Sequence, residues 1–399
     1  MRSIQRIVST FATGILVAGG LAFTTAQQAQ AASVTYRQAD ACATAPAGSA
    51  RCLAIVRDRF RTSLAGAVTP DAASPTGLGA GDLEDAYALP SSTAGSGQTI
   101  AIVDAYDDPN AAADLAVYRT YYGLSACTVA NGCFKKVSQT GSTTSLPTAN
   151  RSWGEEISLD LDMVSAICPN CKILLVEATS SSFANLGAAV NEAAALGANA
   201  ISNSYGGSDS ADSTYGAYYN HPGIAVTASS GDSGYGASYP ASSHYVTAVG
   251  GTTLSTSSNS RGWTETAWAD AGSGCSTLNT ALTGQASFST GCSLRAEADV
   301  SAVADPNTGV SVYDSYRILS AGWSTFGGTS ASSPIIAAVY GLAGNAASID
   351  NNYPYTHSTY LNDVTSGSNG SCTTSQWCTA RAGWDGPTGL GTPNGVSAF

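Results

Sequence analysis

The chain has 399 residues, of which 43 are glycine and only 11% are charged, against about 25% in ordinary soluble domains. A net charge of −12 argues against a nucleic-acid-binding surface, and an apolar content of 43% excludes global disorder. The length allows two or three domains and a sizeable core.

Arg2 and Arg6 precede an apolar, Gly/Ala-rich run from Ile7 to Phe23, and Ala29-Gln30-Ala31 offers a small-x-small cleavage site before Ala32. This pattern predicts a signal peptide over residues 1–31 and a secreted, extracellular protein. A membrane anchor is the competing reading, but the run is short and broken by Thr and Gly. No later stretch is long and apolar enough to span a membrane.

Residues 32–75 carry the arginines Arg51, Arg57, Arg59 and Arg61, and the stretch from Val68 to Gly77 is rich in Pro, Ala, Ser, Thr and Gly. The segment reads as a short, mildly basic leader ending in a linker or processing site. The acidic charge lies beyond it, so residues 76–399 form the main body.

From Gly79 the texture alternates between strand and helix. Strands are expected at Thr99–Val103, Lys172–Glu177, Ala200–Ser204, Ile224–Ser229 and Tyr245–Val249. Helices are expected at Asn110–Tyr122, Trp153–Ile167, Phe183–Leu196 and Ser330–Ala347. Near-continuous apolar strands between helices predict an α/β fold whose parallel sheet is covered on both faces. Functional residues then belong at the carboxyl ends of strands. There is no internal repeat.

Ten cysteines fall in local couples: Cys42/Cys52, Cys127/Cys133, Cys168/Cys171, Cys275/Cys292 and Cys372/Cys378. Sequence does not fix connectivity; local pairing is the simplest choice in an oxidising compartment. Cys168-x-x-Cys171 could be a redox or half-zinc motif, but a disulfide closing a helix end is favoured.

Chemistry can rest on few residues. His221, His244 and His357 are the only histidines, and all look like surface loop residues. There is no His-Glu-x-x-His motif and no phosphate-cradling Gly-x4-Gly-Lys loop. Gly231-Asp232-Ser233-Gly234 superficially matches the nucleophile loop of trypsin-like peptidases, but the Gly-Pro continuation is missing. In Gly327-Gly328-Thr329-Ser330-Ala331-Ser332-Ser333-Pro334 the glycines make a tight turn, Ser330 opens a helix and Pro334 suits its first turn. A nucleophile there would have helix N-terminal amides beside it, although a serine there is as often a simple cap. Glu156 and Asp160 stand i, i+4 on one helix face. Solvation of both is an equal alternative, and Glu155 and Asp162 are expected on other, solvated faces.

Together these segments resemble the sedolisin family of serine-carboxyl peptidases over about Gly77 to Gly395. Leu83-Glu84-Asp85-Ala86-Tyr87-Ala88-Leu89-Pro90 is similar to the start of the family's mature domain. Glu156-x-x-x-Asp160 resembles its acid helix, Ser229 to Gly234 its oxyanion loop and Gly328-Thr329-Ser330 its nucleophile motif. Tyr239-Pro240-Ala241, Tyr245 to Thr252, Asp299-Val300-Ser301 and Asp305 to Gly309 follow the family's order too. The resemblance implies a subtilisin-like three-layer fold with a mainly parallel central sheet. It implies a secreted, acid-acting endopeptidase with Ser330 as nucleophile, Glu156 as base, Asp160 as its orienting acid and Asp232 in the oxyanion hole. Asp104, where a subtilisin would hold its triad aspartate, becomes a supporting acid.

The resemblance further implies one structural Ca²⁺, with side chains from Asp363 and Asp385 and carbonyls from Val364, Arg381 and Gly383. Arg381 stands where the family usually has Gly, and the Cys372–Cys378 insert separates the two halves. The family's long folded propeptide is replaced by the short leader of residues 32–75. The expected partners are protein or peptide substrates and this propeptide, with no nucleic acid, no membrane after signal cleavage, and a monomeric state. Two alternatives stand beside this reading: a neutral subtilisin-like peptidase using Asp104 with a histidine, and a catalytically silent secreted binding protein on a peptidase fold.

Overall fold

The structure, a computed structural model, describes residues 33–63, 66–317 and 320–399. The expected signal peptide, residues 1–31, lies outside the described residues. No helix among the described residues is long and apolar enough to cross a membrane.

The central sheet runs in the order Trp263–Ala267, Thr247–Thr256, Ala225–Ser229, Ala200–Asn203, Thr99–Ala105, Lys172–Ala178, Phe134–Ser138, with Val300–Val303 also on Thr247–Thr256. All these pairings are parallel except that of Trp263–Ala267. Alternation along the strands distributes side chains to two cores. Ile100, Ile102, Ile173 and Leu175 enter one, and Ala101, Val103, Leu174 and Val176 enter the other. Both faces are buried, which is why these strands read as continuous apolar runs. The α/β, three-layer, mainly parallel arrangement expected from the sequence is the one observed.

Helices Arg151–Ile167 and Thr329–Ala343 pack on the first core, and Phe183–Ala195 on the second. Asn150 caps the first of these by accepting from the Trp153 amide, and Ser182 caps the third through Asn185. The serine-bearing helix starts at Thr329 and ends at Gly344, which takes the left-handed conformation that stops a helix. It is shorter than the expected Ser330–Ala347. Pro334 lies beyond the first turn, inside the helix. Lacking an N–H, it leaves the Ser330 carbonyl without its helical donor, and the Ser204 hydroxyl donates there instead, at 3.4 Å.

All five cysteine couples are disulfides as the local pairing suggested. Cys168–Cys171 closes the end of helix Arg151–Ile167.

The segment expected as leader contributes strands that the sequence did not announce. Ser33–Asp40 pairs with Ile55–Thr62, which also takes up Val68–Pro70 from the stretch expected as linker. Ile55–Thr62 then docks antiparallel on Gly322–Gly327, itself paired with Val310–Asp314. Leader and body thus share one five-stranded sheet. Buried Asp58 ties them further, accepting from the Arg317 guanidinium at 3.0 Å and the Ser324 hydroxyl at 2.8 Å.

Candidate active site

Four elements converge at the carboxyl side of the central sheet. Strand Thr99–Ala105 carries Asp104 as its penultimate residue, helix Arg151–Ile167 carries Glu156 and Asp160, the loop after Ala225–Ser229 carries Asp232, and helix Thr329–Ala343 presents Ser330. Asp104, Glu156, Asp160 and Ser330 are fully buried. The structure therefore excludes the reading in which Glu156 and Asp160 are solvated surface acids.

Burial dominates their electrostatics. Removal from water pushes the Glu156 carboxyl well above the usual range, and the nearby Asp104 charge pushes it further. Asp160 is raised by burial, then by Asp104 and Glu156, and Asp104 is raised by its own burial. Neither oxygen of Asp104 or Asp160 has a hydrogen-bond partner among the described residues, and Glu156 Oε1 has none. Such a cluster cannot be fully ionised in a dry interior, so its members compete for shared protons.

The Ser330 hydroxyl lies beside Glu156, where it partly offsets the rise, but its proton is directed to the Ser204 carbonyl at 3.1 Å. The Ser330 backbone N–H, in the first helical turn, donates no hydrogen bond among the described residues. Asp232 is fixed by Thr329, whose amide and hydroxyl donate to Oδ1 at 2.8 and 2.7 Å. Its Oδ2 is shielded from water and has no partner among the described residues. Burial pushes Asp232 up to about 7, with the Thr329 bonds pulling the other way. A protonated Oδ2 is a donor next to the start of the helix that carries Ser330. Gly328, at φ +91°, makes this approach feasible: a Cβ there would stand 2.6 Å from Asp232 Oδ2 and 1.9 Å from the Leu53 carbonyl oxygen.

The histidines lie elsewhere. His221 Nε2 is 3.0 Å from the Tyr218 carbonyl and His244 Nδ1 is 3.1 Å from that of Thr280. His357 stacks on Tyr353. None touches Ser330 or Asp104, so the arrangement lacks the imidazole that a neutral subtilisin-like triad needs. Asp162, expected to be solvated, is instead buried and accepts from the Tyr313 amide at 2.9 Å. Glu155 pairs with Arg317 at 3.0 Å.

The subtilase family's sequence model matches residues 140–365, more than half of the chain. The chain belongs to the subtilase family. Among subtilases its likeness is to sedolisins. Kumamolisin from Bacillus sp. (strain MN-32) is 30% identical over 371 residues, spanning 81% of this chain. The chain spans 63% of that relative's length. Pseudomonas sedolisin, a serine-carboxyl proteinase solved with two molecules of pseudo-iodotyrostatin, superposes with a TM-score of 0.67 at 25% identity, over 80% of this chain and 96% of that one. Sphericase, at TM-score 0.51 and 18% identity over 80% of this chain and 98% of its own, shares the subtilase fold.

What the sequence did not reveal is how much of the site belongs to the leader. The amides of Leu53 and Ala54 donate to Glu156 Oε2 at 2.9 and 2.7 Å. Nothing in the composition of residues 32–75 marks these two positions, because the contact is made by backbone rather than side chains.

Proposed function

We propose that this subtilase is a secreted, acid-acting serine-carboxyl endopeptidase, acting on protein or peptide substrates through Ser330, Glu156 and Asp160. The observation that carries this reading is the burial of a serine with a carboxylate cluster and no histidine. Ser330 Oγ attacks the peptide carbonyl carbon while Glu156 takes its proton. Asp160 shares the Glu156 proton and holds its orientation, the role aspartate plays towards histidine elsewhere. The oxyanion is held by the Ser330 amide and by protonated Asp232. Glu156 returns the proton to the leaving amine, and a water molecule then releases the acyl group by the reverse sequence of transfers.

The oxyanion donor favours acid. Asp232 donates only while protonated, which holds below about 7. Cleavage of a broad peptide mixture between about pH 3 and 8 is expected to peak on the acid side and to vanish in Ser330→Ala. Full activity in that variant, or activity confined to alkaline pH, would end this reading.

Calcium is the cofactor that the sedolisin likeness implies. The residues present fit a hard cation. Burial and the Asp363 charge push Asp385 up to about 7, a repulsion that a cation would relieve. No hydrogen bond falls on the carbonyls of Val364, Arg381 or Gly383 among the described residues. Loop amides meanwhile hold the carboxylates: Arg381 N–H donates to Asp385 at 2.9 Å and Gly383 N–H to Asp363 at 3.0 Å. The described residues contain no cluster of three or more acidic, histidine or cysteine side chains, so carbonyls would have to complete any such site. A bound ion would fix this C-terminal loop and take no part in the proton transfers. Saturating the ion at about a hundred times its dissociation constant should add about 2.7 kcal/mol. Chelation should accordingly lower the melting temperature by about 4 °C, and Asp385→Asn or Asp363→Asn should remove that sensitivity.

A further inference from the structure

Two of the histidines that the site above leaves unused meet at a second cavity. It opens at the amino ends of the parallel strands Ala225–Ser229 and Thr247–Thr256, whereas Asp232 follows the carboxyl end of the first of these. Roughly 15 Å of strand therefore separates it from the candidate active site. The cavity holds about 350 Å³ and is lined by His221 and His244 together with Tyr245, Asp350 and Asn351. Pro222, Ile224 and Ile349 give it an apolar wall.

Hydrogen-bond accounting shows what this cavity lacks. A carbonyl only accepts, so His221 Nε2 carries the hydrogen it shares with Tyr218, at 3.0 Å, and His244 Nδ1 the one it shares with Thr280, at 3.1 Å. In the neutral rings the opposite nitrogens, His221 Nδ1 and His244 Nε2, then keep their lone pairs. Burial pushes the His221 imidazole below its usual range, with the Tyr218 carbonyl pulling the other way, and so favours this neutral form. Asn351 Nδ2 donates to the His244 and Val246 carbonyls, at 2.8 and 3.0 Å, which leaves Oδ1 as an acceptor. Asp350 Oδ1 takes the Asn352 amide at 3.0 Å, and Oδ2 has no donor among the described residues. Tyr340, in the last turn of helix Thr329–Ala343, also lines the cavity, so the negative end of that helix lies here. Its hydroxyl and that of Thr247 engage each other at 3.2 Å.

An acceptor-rich, electronegative cavity with an apolar wall suits a ligand that brings donors, positive charge and an aliphatic stem. A guanidinium has five donors spread around a plane and no acceptor, and it sheds water more easily than an ammonium. Its methylenes can lie on Pro222 and Ile349, and the partly exposed ring of Tyr245 offers a face to the cation. We propose that this cavity is a guanidinium-binding site, formed by His221, His244, Asn351 and Asp350 at the end of the sheet remote from Ser330. It continues into an open groove of about 500 Å³ that shares Pro222, Ile349 and Asp350 and runs on to Tyr353 and Thr356. That groove has room for the main chain of a polypeptide carrying the arginine.

Ser330→Ala chains, which have no nucleophile, are titrated calorimetrically at about pH 8 with N-acetyl-arginine amide and with N-acetyl-citrulline amide, its neutral isostere. The readout is binding alone, so it stands or falls independently of the peptidase reading. The arginine compound should bind at least about tenfold more tightly than the citrulline compound. Asp350→Asn, an exposed change that keeps the acceptor for the Asn352 amide, should weaken arginine binding about three- to fivefold. His221→Phe should weaken it in the same direction and provides a second variant. Equal affinity for arginine and citrulline, or arginine binding unchanged in both folded variants, would overturn the proposal. The pentapeptide Ala-Ala-Arg-Ala-Ala distinguishes the source of the guanidinium. Tighter binding than the amide, lost with the same two substitutions, assigns the site to arginine within a polypeptide along the groove; equal binding assigns it to a free arginine-like ligand. Either of these results upholds the site.

Discussion

Glu156→Gln is expected to lower kcat by about 10²–10⁴-fold, with KM little changed. The substitution keeps the size of the side chain and an oxygen acceptor for the Leu53 and Ala54 amides, so the fold and the leader contact should survive. What it removes is a group that can receive the Ser330 proton and return it to the leaving amine. Because only the transition state uses that transfer, the loss should fall on kcat rather than on substrate binding. Steady-state kinetics on matured enzyme at its optimum pH would measure the split. A large rise in KM at constant kcat would place Glu156 in substrate binding. Asp160→Asn should give a smaller loss of kcat together with a displaced acid limb of the pH profile, since Asp160 acts on the substrate only through Glu156.

The candidate constellation was legible because its residues fall in short, ordered motifs on separate elements: Glu156 and Asp160 one helical turn apart, Asp232 in a glycine loop after a strand, Ser330 at a glycine-led helix start. The parallel sheet was legible for a different reason. Strands such as Thr99–Ala105 are buried on both faces, so their apolar runs are continuous. Asp162 shows where such reading stops. Its helix is covered on nearly every side, and its partner, the Tyr313 amide, lies 151 residues away in the chain. Helical periodicity assigned it to a solvent face that does not exist. Ser33–Asp40 was illegible for the opposite reason: every residue of the strand is exposed, so no hydrophobic pattern marks it. Ile55–Thr62 alternates buried and less buried residues, but its arginines and Asp58 hide the apolar side, because Asp58 is buried through Arg317 rather than solvated.

The same cluster that is proposed for catalysis should invert the usual dependence of stability on pH. Asp232 titrates near 4 when unfolded and at about 7 in the folded chain, so the folded state binds more protons between those values. Stability then falls as pH rises through that window, is fully penalised above it, and is free of the penalty below it. A displacement of about three units corresponds to about 4 kcal/mol at most. The buried carboxyls of Glu156, Asp160 and Asp104 are displaced in the same direction and add to it. Differential scanning fluorimetry on Ser330→Ala chains, which cannot digest themselves, should show a melting temperature lower at pH 8 than at pH 4.5 by on the order of 8 °C or more. Asp104→Asn is the discriminating variant. Asp104 has no hydrogen-bond partner to lose among the described residues, and its charge repels both Glu156 and Asp160. Removing it should raise the melting temperature at pH 8, leave it nearly unchanged at pH 4.5, and so flatten the profile. A melting temperature that rises steadily from pH 4.5 to 8 would mean that these carboxylates are ionised and solvated in the folded chain, and the acid-acting mechanism would lose its physical basis with them.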